Sequence, residues 1–152
     1  MITVYQNGEL HFQNKIYKCA IGKNGIKKKK IEGDCCTPAG IYTLGPLYYR
    51  SDRIKKIKTN FNTIAIEKNM FWSDDPQSKH YNKLIRFKDS SCENLYKINH
   101  TYDLVLVINY NAHPVINGKG SAIFIHLAKK DFSPTSGCIA LKKECIFEIL
   151  EK

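Results

Sequence analysis

Leu104-Val105-Leu106-Val107-Ile108 is the stretch on which the reading of this fold turns. The run is aliphatic throughout and shows no polar alternation, the pattern of a strand covered on both faces at the middle of a layered β domain. It is five residues long, against the roughly 20 that a bilayer crossing requires, so it reads as core and not as a membrane span. Outward from it, shorter β-rich runs recur between turn residues: Ile2 to Tyr5, Glu9 to Gln13, Ile16 to Ile21, Gly40 to Leu44, Thr63 to Ile66 and Ala122 to Leu127. Asn7-Gly8, between the first two, predicts a two-residue hairpin turn. Near the end, Cys145, Ile146, Ile149 and Leu150 fall on one stripe at helical spacing and predict a terminal amphipathic helix. Lys68 to Asn99 carries no such periodicity and is too long for a casual connection, so it reads as an irregular loop that is functional or carries short helices. Without an internal repeat, the pattern describes one domain over residues 1–152, mainly β, a β-sandwich or open barrel with a C-terminal helix and a long irregular loop.

Composition narrows the class further. At 152 residues, 43% hydrophobic and 25% charged, the chain has ordinary globular usage, which excludes a disordered tail or a collagen-like fibre. Its net charge of +10 favours an anionic partner without naming a reaction. The densest basic block, Lys27-Lys28-Lys29-Lys30, follows Gly22-Lys23-Asn24-Gly25 and reads as a solvated loop or hairpin tip. The opening residues Met1 to Gln6 lack the basic start and apolar segment of a secretory signal. No heptads or interface patch stand out, leaving a monomer as the default.

Six cysteines occur, at positions whose spacing suits neither a disulfide framework nor zinc: Cys35 and Cys36 are adjacent, and Cys138 and Cys145 are seven apart. No metal or cofactor is expected. Phosphate-binding glycine motifs fail, because Ile123 stands where the Gly118-Lys119-Gly120 stretch would need its third glycine, and no Gly-x-Ser-x-Gly elbow occurs. Cys19 and Cys145 fit buried packing. Cys35, Cys36 and Cys92 sit near turns or in the long loop, and His11, His80, His100 and His113 read as surface or core residues.

Cys138 is different. It lies in Pro134-Thr135-Ser136-Gly137-Cys138-Ile139, where small residues allow a sharp turn and a thiol reachable at a strand edge. Twelve residues earlier, His126 follows the apolar run Ala122-Ile123-Phe124-Ile125, so a rigid strand would carry an imidazole whose loop returns to the thiol. A thiol titrates near pH ~8.5, and a neighbouring imidazolium lowers that value, so such a pair supplies thiolate without metal.

Together, Gly120-Ser121-Ala122-Ile123-Phe124-Ile125-His126 and Pro134-Thr135-Ser136-Gly137-Cys138-Ile139-Ala140-Leu141 resemble the L,D-transpeptidase catalytic domain family of bacterial peptidoglycan enzymes. Thr37-Pro38-Ala39-Gly40, Trp72 to Pro76 with Tyr81-Asn82, and Tyr102-Asp103 leading to Asn109-Tyr110-Asn111 resemble its compact branch, so the likeness spans most of the chain. The resemblance implies a mainly β domain with the cysteine in a cleft under a mobile loop. It implies that Cys138 attacks the L-centred residue of a stem tetrapeptide and expels D-alanine, with His126 moving the proton and an amine or water accepting the acyl group. Gly137 and Ser136 would sit at the oxyanion, the Leu127 carbonyl would orient His126, and Trp72, Tyr110 and Ser121 would touch substrate. Peptidoglycan stem peptides are then the partner, and the bacterial cell envelope or periplasm the place. The chain departs from the broad family motif at Ser136, where a second histidine is usual, and at Ala140, where a polar residue is usual. A reading from another class is a non-catalytic basic β domain that binds nucleic acid or wall polymer, with Trp72, Tyr48 and Tyr49 as stacking platforms.

Overall fold

The computed structural model describes residues 1–28 and 31–152. Half of the four-lysine block therefore lies outside the described residues, while Lys27 sits in a strand and Lys28 is exposed. The chain runs through β1 (Ile2–Val4), β2 (Glu9–Phe12), β3 (Lys15–Ala20), β4 (Ile26–Lys27), β5 (Thr37–Pro38), β6 (Leu44–Tyr49), β7 (Thr63–Ala65), β8 (Phe71–Ser73), β9 (Leu84–Ile85) and β10 (Cys92–Asn94). A 3-10 turn at His100–Tyr102 then leads to β11 (Leu104–Ile108), β12 (Phe124–Leu127), β13 (Ile139–Leu141) and the helix α1 (Lys143–Leu150).

Eight strands form one open sheet in the order β1-β2-β3-β13-β12-β11-β6-β7. The aliphatic run is β11, and it lies inside the sheet between β12 and β6 as its unbroken apolarity requires. Alternation along the central strands divides the core in two. Leu47, Leu104, Leu106, Ile125, Leu127, Ile139 and Leu141 face one way and pack with Ile146, Ile149 and Leu150 of α1. Tyr48, Val105, Val107, Phe124 and Cys138 face the other way and pack with Met70, Leu95 and Tyr102. The terminal helix buries the stripe read from its spacing, except that Cys145 is only half-buried.

Four local expectations change. The first hairpin has three loop residues, Gln6-Asn7-Gly8, closed by Gly8 N–H to Tyr5 O (3.1 Å) and Tyr5 N–H to Glu9 O (2.9 Å). Only Gly8 has a positive φ (80°), whereas a two-residue turn with Asn-Gly needs two such residues. The strand expected over Gly40 to Leu44 starts at Leu44 instead. Gly45 and Pro46 sit inside it because the register with β11 shifts between Leu106 and Ile108, and an irregularity of that kind tolerates a residue without an N–H. Ile139–Leu141, too short to announce itself, becomes a central strand. Finally, the 68–99 stretch is neither structureless nor helical: β10, β8 and β9 form a small antiparallel sheet within it.

Leu106 is 1% exposed and in register with Leu47 on one side and Ile125 on the other. Leu106→Ala should lower unfolding free energy by about 2–5 kcal/mol, read from urea denaturation. A loss below about 1 kcal/mol would mean that this face is not packed as described.

Candidate active site

β12 and β13 run parallel, with Ile125 opposite Ile139, His126 opposite Ala140 and Leu127 opposite Leu141. Cys138 directly precedes β13, so the period of two puts Phe124, His126, Cys138 and Ala140 on one wall. Neighbouring strands lie about 4.8 Å apart, which makes His126 and Cys138 diagonal neighbours on that wall. Tyr102 joins them from the 3-10 turn. Its ring meets the His126 ring edge-on at 5.2 Å and the Phe124 ring at 6.1 Å, in the same packed cluster as Cys138.

His126 is 9% exposed, and its Nδ1 lies 3.0 Å from the Leu127 carbonyl oxygen. A carbonyl oxygen only accepts, so the proton sits on Nδ1 and Nε2 keeps a lone pair. Burial pushes the imidazole down to about 4, against a smaller upward pull from the Leu127 carbonyl. The ring is therefore neutral at pH 7, and the imidazolium expected beside the thiol is replaced by a neutral base. The reason is solvation: a charged ring at this depth has too little water around it.

Cys138 is 7% exposed. Its thiol donates to the Ala122 carbonyl oxygen (3.2 Å), and its sulfur accepts from Phe124 N–H (3.4 Å). The expected position at a strand edge does not hold, because β3 pairs with β13 on its other side and Gly22 bridges Thr135 just before it. Residues of and around the small sheet, with Tyr102, pack with Cys138 in one cluster and cover this face.

Gly137 is required sterically. Its φ is 139°, and a Cβ there would lie 2.7 Å from the Cys36 carbonyl oxygen. Cys36 itself is 1% exposed although it lies next to a turn. The Gly137 N–H donates to Thr135 Oγ1 (3.1 Å), whose hydroxyl donates to the Cys138 carbonyl (2.6 Å), and the Gly137 carbonyl accepts from Thr37 Oγ1 (2.8 Å).

The remaining residues separate. Trp72 and Tyr110 both line a hollow of about 310 Å³ that is walled by Val107 and Phe124 of the same sheet face. Ser121 is buried, and its hydroxyl donates to Glu32 (2.6 Å). Ser136 is exposed and Tyr48 is buried, which leaves no stacking surface on Tyr48. A larger cavity of about 760 Å³ opens behind the sheet against Ile125 and Ile139, the wall opposite Cys138.

The whole chain, residues 1–152, matches the family model described as the L,D-transpeptidase catalytic domain (YkuD). The chain belongs to this family. Neither the curated proteins nor the solved structures give a match. The mainly β fold with its C-terminal helix agrees with membership of the L,D-transpeptidase family, whose action is related to peptidoglycan. Among the described residues no helix is long and apolar enough to cross a membrane, and no group of three or more His, Cys, Asp or Glu side chains is placed to hold a metal ion. In this L,D-transpeptidase-family domain the structure adds residues to which spacing gave no role. Asn82 bonds Trp72 Nε1 and Ala122 N–H, and Glu93 accepts from Tyr102 Oη (2.9 Å). The only sequence signal for them was that they lie in or near segments resembling the family.

Two outcomes follow from this geometry. Gly137→Ala has backbone, not a flexible side chain, in its way and should destabilise the domain by about 1–3 kcal/mol in denaturant titration. His126 binds its proton near pH 6.5 when unfolded but only near 4 when folded, so the unfolded state holds more protons between those values. Stability should accordingly fall as pH drops from about 6.5 toward 4, by about 3 kcal/mol from this group. His126→Gln should flatten that slope; an equal slope in the variant would assign the acid loss to other groups.

Proposed function

We propose that this domain is a peptidoglycan L,D-transpeptidase that forms a thioester on Cys138. The reading is carried by one observation: the Cys138 thiol and the His126 imidazole, whose Nδ1 faces the Leu127 carbonyl, share one wall of adjacent parallel strands. Once the cover opens and substrate enters, His126 Nε2 accepts the thiol proton, and Cys138 Sγ attacks the carbonyl of the L-centred residue of a stem tetrapeptide. The Cys138 N–H and the Gly137 N–H hold the resulting oxyanion, the latter exchanging its bond to Thr135 Oγ1. Collapse of that intermediate breaks the C–N bond, and D-alanine leaves with the proton from His126. In the second half, an amine of another stem attacks the thioester, gives its proton to His126 and restores the Cys138 thiol. Leu127 O keeps the ring in the tautomer both halves need. Trp72 and Tyr110 line the hollow that Phe124 of the same wall borders, and there they contact the donor peptide. The +10 charge suits the carboxylates of the wall polymer, and that substrate puts the work in the bacterial cell envelope or periplasm.

Incubation with tetrapeptide muropeptides should release D-alanine by mass spectrometry, and adding a D-amino acid should yield the exchanged product. Cys138→Ala should abolish both. His126→Ala should slow release by about 10²–10⁴-fold while the protein stays folded. Release without any exchange product would assign the domain to water as acceptor, an L,D-carboxypeptidase; full activity in a folded Cys138→Ala variant would end the proposal.

A further inference from the structure

Asn82 is 7% exposed, and its amide makes four hydrogen bonds. Oδ1 accepts from Trp72 Nε1 (2.9 Å) and Ala122 N–H (3.0 Å), while Nδ2 donates to the carbonyls of Tyr110 (3.0 Å) and Asn111 (2.8 Å). Two donors point at the oxygen and two acceptors at the nitrogen, so the amide can sit only one way round. Its own backbone returns to the small sheet through Asn82 N–H to Ser73 O (2.8 Å). One side chain thus ties together the small sheet, the 110–111 loop and the segment entering β12.

Ala122 stands at the end of that tie in an unusual conformation. Its φ is 52°, in the left-handed region that an alanine Cβ disfavours. In this conformation its N–H meets Asn82 Oδ1 on one side, and its carbonyl accepts the Cys138 thiol on the other. Strained non-glycine backbone persists only where surrounding bonds over-determine it. Here the bond to Asn82 holds the residue in a shape whose visible consequence is the direction of the carbonyl facing the sulfur.

We propose that Asn82 is a positioning residue for the nucleophile, holding Ala122 in its left-handed conformation so that the Ala122 carbonyl fixes the Cys138 thiol on the wall it shares with His126. The proposal rests on the acyl-transfer reading for its consequence in turnover, but the thiol itself reports on it independently. A carbonyl that accepts S–H stabilises the neutral thiol and selects one side-chain direction. When Asn82 is lost, Ala122 relaxes to ordinary extended backbone and its carbonyl leaves the sulfur. The thiol then ionises more readily while it is held less well for attack. Trp72 and Tyr110 border the hollow next to this wall and both bond Asn82, so the same side chain couples the candidate donor subsite to the sulfur.

The test measures the rate of iodoacetamide alkylation of Cys138 against pH in the intact protein, with the other cysteines followed separately by peptide mass spectrometry. Asn82→Gly is the cleanest deletion, because φ of 55° at this position suits glycine. It should lower the apparent thiol pKa by about one pH unit and slow muropeptide turnover about tenfold or more. Tyr102, packed in the same cluster as Cys138, and His126 on the same wall are unchanged in every variant, as are Asp74, Glu93 and Lys97 near Tyr102. In the double variant Asn82→Gly, Ala122→Gly the backbone adopts the left-handed shape without strain, and part of the thiol shift should return; loss of packing alone would not be rescued in this way. If Asn82→Gly does not fold, hydrogen exchange on the wild-type protein still reads the tie, and its Ala122 amide should be protected. An unshifted thiol in folded Asn82→Gly, no recovery in the double variant, or an unprotected Ala122 amide in the wild-type protein would each overturn the assignment. If wild-type protein fails to turn over muropeptides but these thiol and exchange results appear, the activity reading fails and the positioning role stands.

Discussion

The parallel pairing of β12 with β13 is the constraint on which the molecule depends. With Ile125 opposite Ile139 and Leu127 opposite Leu141, every odd-numbered residue of the two strands enters the helix-facing core. The even-numbered residues Phe124, His126 and Ala140 then face the other way, as does Cys138 just before β13. A slip of one residue in either strand would turn its half of the pair into the other core, so the same apolar packing that stabilises the sheet also enforces the chemistry's geometry. Packing on the helix side therefore helps set where His126 and Cys138 stand.

Burial shapes the chemistry as much as it shapes the fold. A site this dry keeps His126 neutral, so the proposed reaction starts from an uncharged imidazole. The cover responsible is anchored firmly at its far end. Arg50 donates to the Lys97 carbonyl (2.7 Å) and stacks on the Tyr96 ring at 3.7 Å, and Arg53 donates to the carbonyls of Ile98 (2.8 Å) and Asn99 (3.1 Å). Two of the chain's three arginines thus hold one short segment, which fits the planar, multi-donor character of guanidinium. Glu93, Lys97 and Tyr102 on that segment form a further polar cluster next to His126.

Strain is concentrated where the pieces meet. Asn82, Asn111 and Ala122 all have positive φ, and Asn82 bonds the other two. Asparagine tolerates this region because its short amide can satisfy nearby backbone, whereas alanine has no such compensation. The asymmetry explains why the alanine, and not its neighbours, needs an outside bond to hold its shape.

The sequence by itself determined the mainly β class, most of the central strands and the terminal helix, and it singled out the two residues to which the proposed chemistry is given. Those features leave local marks: a period of two for strands, a helical stripe for α1, and a short run of small residues around Cys138. The tertiary structure alone decided that the 68–99 stretch is a sheet, that Ile139–Leu141 is central rather than an edge, that the sulfur is covered and that its histidine is neutral. Periodicity records whether a residue is buried, but not which strand lies beside it or what covers it from above. Hydrogen bonds such as those of Asn82 to Ala122 and Asn111 join residues 40 and 29 positions apart, and their partners come into being only when topology brings those segments together.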